Sequence, residues 1–145
     1  MKKIYKLNEV FTESQSLGQR SWGSEDLIYA SPGCYTFKIL KVKAGSKGGL
    51  QYHRKKDEVT FIVSGKLKVL IDLNDGNGLQ DFVIGEGEWI RFPTGMVHQE
   101  EALTDVVRIE ASSPFLNDRV RMEEEYGFGE PIGLPTTDLD EIEKI

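Results

Sequence analysis

The chain has 145 residues, 39% of them hydrophobic and 29% charged, with a formal net charge of −6. That length is about one domain's worth and folds without staples, since chains of this size bury roughly 68–70% of their unfolded surface, and the mix is that of a globular protein rather than a disordered or membrane-spanning one. The acidic balance excludes general affinity for nucleic acid or anionic membrane, so the expected partner is a small molecule.

Taken in chain order, the clear elements are short strands. Residues 36–43 (Thr-Phe-Lys-Ile-Leu-Lys-Val-Lys) nearly alternate polar with apolar, which gives a strand with one wet face. Residues 58–64 are rich in β-branched side chains and end at Gly65, where a tight turn leads into residues 66–73, whose apolar side chains fall at 67, 69, 71 and 73. Asn74-Asp75-Gly76-Asn77-Gly78 is a second turn, followed by strands over 80–84 and 88–92 that Gly85-Glu86-Gly87 separates. Pro93-Thr94-Gly95 closes that run, Met96 to Glu100 opens another strand, and Asp105 to Ser112 reads as the last long one. Residues 119–126 are charged enough for a short exposed helix, and residues 138–144 for a second. The class is all-β, with a short C-terminal helix. One domain over residues 1–145 is expected, its barrel core at about 34–113 and its tail at 128–145.

Four side chains of ligand type stand out. Gln51 and His53, two apart, project from one face of a strand. Glu58 opens the next strand and lies beside them if residues 54–57 are the connection, and His98 arrives from a distant strand after Pro93-Thr94-Gly95. Imidazole, carboxylate and amide oxygen together suit a borderline divalent ion such as Zn, Mn, Fe, Co or Ni. The basic run Arg54-Lys55-Lys56 reads equally as a solvated turn or as an anion site. Trp22 and Trp89 are read as packing residues. Arg91 and Arg108 lie in strands, where an inward cation needs a carboxylate or a substrate anion beside it. Glu100, Glu101 and Glu110 become candidate bases only where they face inward.

The spacing Gly45-x5-Gln51-x-His53-x4-Glu58-x6-Gly65 resembles the first cupin motif, G-x5-H-x-H-x3–4-E-x6-G, with glutamine in place of its first histidine. Gly87-x5-Pro93-x-Gly95-x2-His98 resembles the second, G-x5-P-x-G-x2-H. A narrower likeness is to the cupin domain of type II mannose-6-phosphate isomerases. It is carried by Leu50-Gln51-Tyr52-His53-Arg54, by Arg20-Ser21-Trp22-Gly23, by Ile109-Glu110 and by the stretch from Arg121 to Gly127. The chain departs from that family at Lys56, at Val59-Thr60 and at Ala111-Ser112.

The resemblance implies a double-stranded β-helix, or jelly-roll barrel, that holds one divalent ion on Gln51, His53, Glu58 and His98. It also implies a sugar or sugar-phosphate isomerase or epimerase that works through a metal-stabilised enediolate. In that reading Glu110 is the base, and Lys56, Arg91 or Arg108 attracts a phosphate, so the catalytic set is Glu110, Lys56 and Arg108. The alternatives are an iron-dependent cupin dioxygenase and a non-enzymatic sugar-binding cupin. A homodimer is expected, because cupins cover open sheet edges by pairing. Cys34 is the one cysteine, and lysines followed by polar residues stand where an apolar leader would be, so the expected location is the cytoplasm.

Overall fold

The computed structural model describes residues 15–31, 33–115 and 118–122, and these form eleven strands and no helix. The strands are β1 (Gln15–Arg20), β2 (Gly23–Ser31), β3 (Tyr35–Val42), β4 (Gln51–Tyr52), β5 (Glu58–Ser64), β6 (Lys66–Asp72), β7 (Leu79–Gly85), β8 (Trp89–Phe92), β9 (His98–Ala102), β10 (Val106–Ser112) and β11 (Val120–Arg121). All pairings are antiparallel. One sheet runs β1-β2-β3-β10-β5-β8 and the other β11-β4-β9-β6-β7. Strands that follow each other in sequence therefore often sit in different sheets, as the jelly roll requires.

Turn chemistry sets these reversals. The four motif glycines, Gly45, Gly65, Gly87 and Gly95, all have φ between 82° and 92°, a region that costs a residue with a Cβ. At Gly65 the requirement is doubled, because a Cβ there would collide with the carbonyl oxygen of Asp105. Gly23, which opens β2, has φ of 145° and lies so close to the Lys41 carbonyl that a side chain would not fit.

The space between the sheets has two unlike ends. At one, Ile62, Leu67, Val69, Ile71, Ile84, Phe92, Ala102 and Val106 form a buried apolar cluster. Leu67, Val69 and Ile71 are the inward face of β6, in the phase that the alternation predicts. At the other end the inward positions are polar: Glu25 on β2, Thr36 and Lys38 on β3, Glu58 and Thr60 on β5, and Arg108, Glu110 and Ser112 on β10.

Several expectations change here. β1 and β2 extend the strand region to Gln15, well ahead of the core expected from residue 34. On β3 the polar face is the buried one. Lys38 is only 4% exposed and Thr36 bonds Ser112 at 2.6 Å, whereas Phe37 and Ile39 face outward and are half-buried. Of the helix expected over 119–126, the described part is extended instead: β11 pairs with β4, and Met122 N–H donates to the Leu50 carbonyl at 2.9 Å. The rest of it, and the helix expected over 138–144, lie outside the described residues. Trp89 is 65% exposed, beside Phe61 on the outer face, so it does not pack into this chain's core. No helix among the described residues is long and apolar enough to cross a membrane.

Candidate metal centre

The polar end opens into a cavity of about 150 Å³. The ligand-type side chains come from three places in the two sheets: Gln51 on β4 with His53 just beyond it, Glu58 at the start of β5, and His98 at the start of β9. Gln51, His53 and Glu58 line the cavity, whereas His98 is not among its lining residues and meets the group through Glu58. Strand register brings Gln51 opposite His98. The donor atoms of His53, Glu58 and His98 all lie within 4.8 Å of one another. Glu58 Oε1 stands 3.4 Å from His53 Nε2 and 3.8 Å from His98 Nε2.

Both imidazoles are fixed by their other nitrogen. His53 Nδ1 lies 2.7 Å from the Asp118 carbonyl oxygen and His98 Nδ1 lies 2.9 Å from that of Met96. A carbonyl can only accept, so each Nδ1 carries a proton, and in the neutral ring the lone pair then sits on Nε2, the nitrogen that faces Glu58. Burial pushes His98 below the ordinary imidazole range, which favours this neutral form. Its ring also stacks on Phe92 at 4.1 Å between centroids, so the apolar end holds the ligand in place.

Charge around the site is arranged in pairs. Lys38 Nζ is 2.6 Å from Glu25 and 3.8 Å from Glu110. Lys56 Nζ is 2.8 Å from Glu58 and 3.6 Å from Glu110, and Arg108 donates to Glu100 at 2.7 Å. Burial opposes the charge on Glu58, yet the Lys56 ammonium beside it holds its carboxyl well below the usual range. For Glu110 the balance falls the other way: burial and the Glu58 charge raise its pKa despite Lys56 and Lys38. Lys56 and Arg108 are pushed up, because the carboxylates around each outweigh burial.

Six buried side-chain atoms among the described residues lack a hydrogen bond: Trp22 Nε1, Gln51 Oε1, His53 Nε2, Glu58 Oε2, Arg108 Nε and Glu110 Oε2. All six residues line this cavity. Three of these atoms have an ionic or ionisable neighbour at 2.8 to 3.8 Å that is not aligned as a hydrogen bond: Glu58 Oε2, His53 Nε2 and Glu110 Oε2. Buried polar groups are normally paired, so a cluster of unpaired donor and acceptor atoms in one cavity fits a bound group. Two imidazole nitrogens, an ionised carboxylate and an amide oxygen are the donor set that a borderline divalent ion takes.

The remaining expected residues divide. Lys56, Arg108 and Glu110 are inside, and Glu100 lines the cavity. Arg91 is not; it faces outward and makes a two-point pair with Asp57 at 3.0 and 2.8 Å. The basic run splits three ways, with Arg54 on Asp118, Lys55 5.8 Å from the Phe115 ring centre and Lys56 buried. Trp22 lines the cavity. Sequence reasoning missed Glu25, Lys38 and Asp118. The alternation along β3 contained Lys38, but in a phase that looked solvent-facing. Asp118 carries no local signal at all.

A profile of the family described as Cupin matches residues 31–118 of the chain. Among solved structures, the capsular polysaccharide assembling protein CapF of Staphylococcus aureus superposes with a TM-score of 0.66 at 20% identity, over 78% of this chain and 32% of CapF. KdgF from Halomonas sp. gives 0.60 at 17% identity, over 73% of this chain and 89% of that one. Oxalate decarboxylase of Bacillus subtilis, a protein with Mn(II) centres, gives 0.60 at 17% identity over 80% of this chain and 32% of that one. The chain thus spans about a third of the CapF and oxalate decarboxylase chains. At these identities the likeness is one of fold. A search of curated proteins finds no significant match.

Proposed function

From the premise that this chain belongs to the cupin family, we propose that it is a metal-dependent isomerase or epimerase acting on a small hydroxycarbonyl compound of the sugar class. Gln51, His53, Glu58 and His98 would hold the ion. When bound there, a divalent ion polarises a carbonyl oxygen and acidifies the neighbouring C–H.

The observation that carries this reading is the place and state of Glu110. Its Oε2 is buried and lacks a hydrogen bond, and Glu110 lines the same cavity as Gln51, His53 and Glu58. Its raised pKa moves it toward the range in which a carboxyl both takes and returns a proton. In the reaction, Glu110 takes the proton from the carbon beside the carbonyl. The C–H electron pair becomes the new carbon–carbon π bond as the carbonyl π pair moves onto its oxygen. For isomerisation Glu110 returns the proton to the adjacent carbon while the hydroxyl proton passes to the former carbonyl oxygen, and for epimerisation water supplies a proton on the opposite face of the first carbon. Lys56, 3.6 Å from Glu110 and 2.8 Å from Glu58, offsets the carboxylate charge as the proton moves. Arg108 lines the same cavity and its Nε has no hydrogen-bond partner, which supports a role in binding a substrate oxygen.

The sugar class itself is supported by the motif likeness to type II mannose-6-phosphate isomerases. A homodimer belongs to the same reading, supported by the outward apolar row Ile39, Ile109, Phe61 and Trp89, which ends on edge strand β8.

The test is exchange of substrate C–H protons with D2O, followed by NMR over a panel of aldoses, ketoses and their phosphates with the metal-loaded protein. Glu110→Gln is expected to lower exchange and turnover by about 10²–10⁴-fold while the metal content stays unchanged. Oxygen uptake by the iron-loaded protein without any C–H exchange would instead establish the dioxygenase alternative.

A further inference from the structure

The connection between His53 and Glu58, residues 54–57, belongs to no strand, yet it must fix two of the ligand-type side chains relative to each other. Where its backbone hydrogen bonds go is therefore the question that decides the site's rigidity. Two of its N–H groups converge on one oxygen: Lys55 N and Lys56 N lie 2.5 and 2.8 Å from Asp118 Oδ2. The other oxygen, Oδ1, accepts from Arg54 Nε at 3.2 Å. The carboxylate is 8% exposed, and its acceptor sites face the turn.

The same residue reaches the ligand itself, since the Asp118 backbone carbonyl accepts from His53 Nδ1 at 2.7 Å. Three residues further on, Arg121 pairs with Gln51 across β4 and β11. One short segment thus touches Gln51, His53 and the turn that leads to Glu58. His98, by contrast, takes its carbonyl from Met96, two residues away on its own approach to β9.

Resting on the metal-centre reading above, we propose that Asp118 is a positioning residue for that centre: its side chain anchors the 54–57 turn, and so holds its own carbonyl where it fixes the tautomer and orientation of the His53 ring. The mechanism is direct. An imidazole with its proton on Nε2 would aim that proton at Glu58, 3.4 Å away, and would offer the ion no lone pair. The carbonyl at Nδ1 removes that state, and the three bonds to the carboxylate keep the carbonyl from drifting. Groups that orient ligands in this way are commonly worth 10–100-fold in metal affinity.

Asp118→Ala removes the anchor and leaves the backbone in place. Asp118→Asn keeps one oxygen able to take both backbone N–H bonds and sacrifices only the Arg54 contact. Competitive Co(II) and Zn(II) titrations are expected to show the alanine variant about 10–100-fold weaker than the parent, with shifted Co(II) ligand-field bands, and the asparagine variant within about threefold of it. On the metal-free protein, side-chain 15N NMR is expected to find the Nδ1–H form of His53 in the parent and the asparagine variant, and a mixture of tautomers in the alanine variant. An alanine variant with unchanged tautomer, or an asparagine variant as weak as the alanine one, overturns the proposal. A parent protein that binds no metal defeats the metal-centre reading alone, because the NMR comparison still decides what Asp118 does to His53.

Discussion

The two ends of the sandwich interior are built from the same strands by opposite rules. On β5 the inward residues run Glu58, Thr60, Ile62, and on β10 they run Val106, Arg108, Glu110, Ser112, so each strand passes from apolar to charged within a few residues. The apolar end draws stability from area removed from water. The charged end gains little net stability from its pairs, because desolvation consumes most of what attraction supplies, and among the described residues it leaves six polar atoms without hydrogen bonds. Stability and chemistry are thus separated along the barrel axis, with Phe92 stacked on His98 at the junction.

The sharpest way to break that contrast is to remove one charge from the polar end. Lys38→Met removes the cation that lies 2.6 Å from Glu25 and 3.8 Å from Glu110, and is expected to lower the unfolding free energy of the metal-free protein by about 3–5 kcal/mol, part of it restored by adding Glu25→Leu. Ile62→Ala at the apolar end is expected to cost about 2–5 kcal/mol, with no second change able to restore it and no loss of metal affinity. Denaturant titration of the three variants checks both statements. Equal behaviour at the two ends would remove the distinction.

A smaller effect of opposite sign is expected at Glu110. Its folded pKa lies above its unfolded one. Between those values the folded chain keeps a proton that the unfolded chain has released, so stability falls as pH rises through the window and stays lower above it. Glu110→Gln is therefore expected to stabilise the metal-free protein by about 1 kcal/mol at neutral pH, the direction expected when an unfavourably buried charge is removed. The gain disappears as pH falls below the unfolded carboxyl value. Glu58 follows the reverse rule: its folded pKa is lowered, and the stability it contributes is lost as pH falls through that value. A Gln variant whose advantage grows in acid would contradict this assignment.

How much was legible in the sequence follows the same division. β5, β6 and the turns around them were plain, because apolar alternation and positive-φ glycines leave local marks. The pairing of His53 with Glu58 was legible because it spans one turn. β1 and β2 were not, since Gln15-Ser16-Leu17-Gly18 and Glu25-Asp26 put polar and charged residues where a binary pattern expects apolar ones. Lys38 was misread for the same reason: burial there is set by partners on β2 and β10, which the β3 sequence does not contain. Asp118 acts more than 60 residues from His53, partly through its backbone, and the charged run after it looked helical until β4 supplied a strand partner.

The most direct test of the metal centre is calorimetric titration of the metal-free chain with Mn(II) and with Zn(II), in the parent and in Glu58→Gln. The arrangement of His53, Glu58 and His98 predicts one ion per chain in the parent and an affinity more than about 100-fold weaker in the variant, beyond the loss expected for an orienting neighbour. A parent that takes up no ion, or a variant that binds as the parent does, would contradict it.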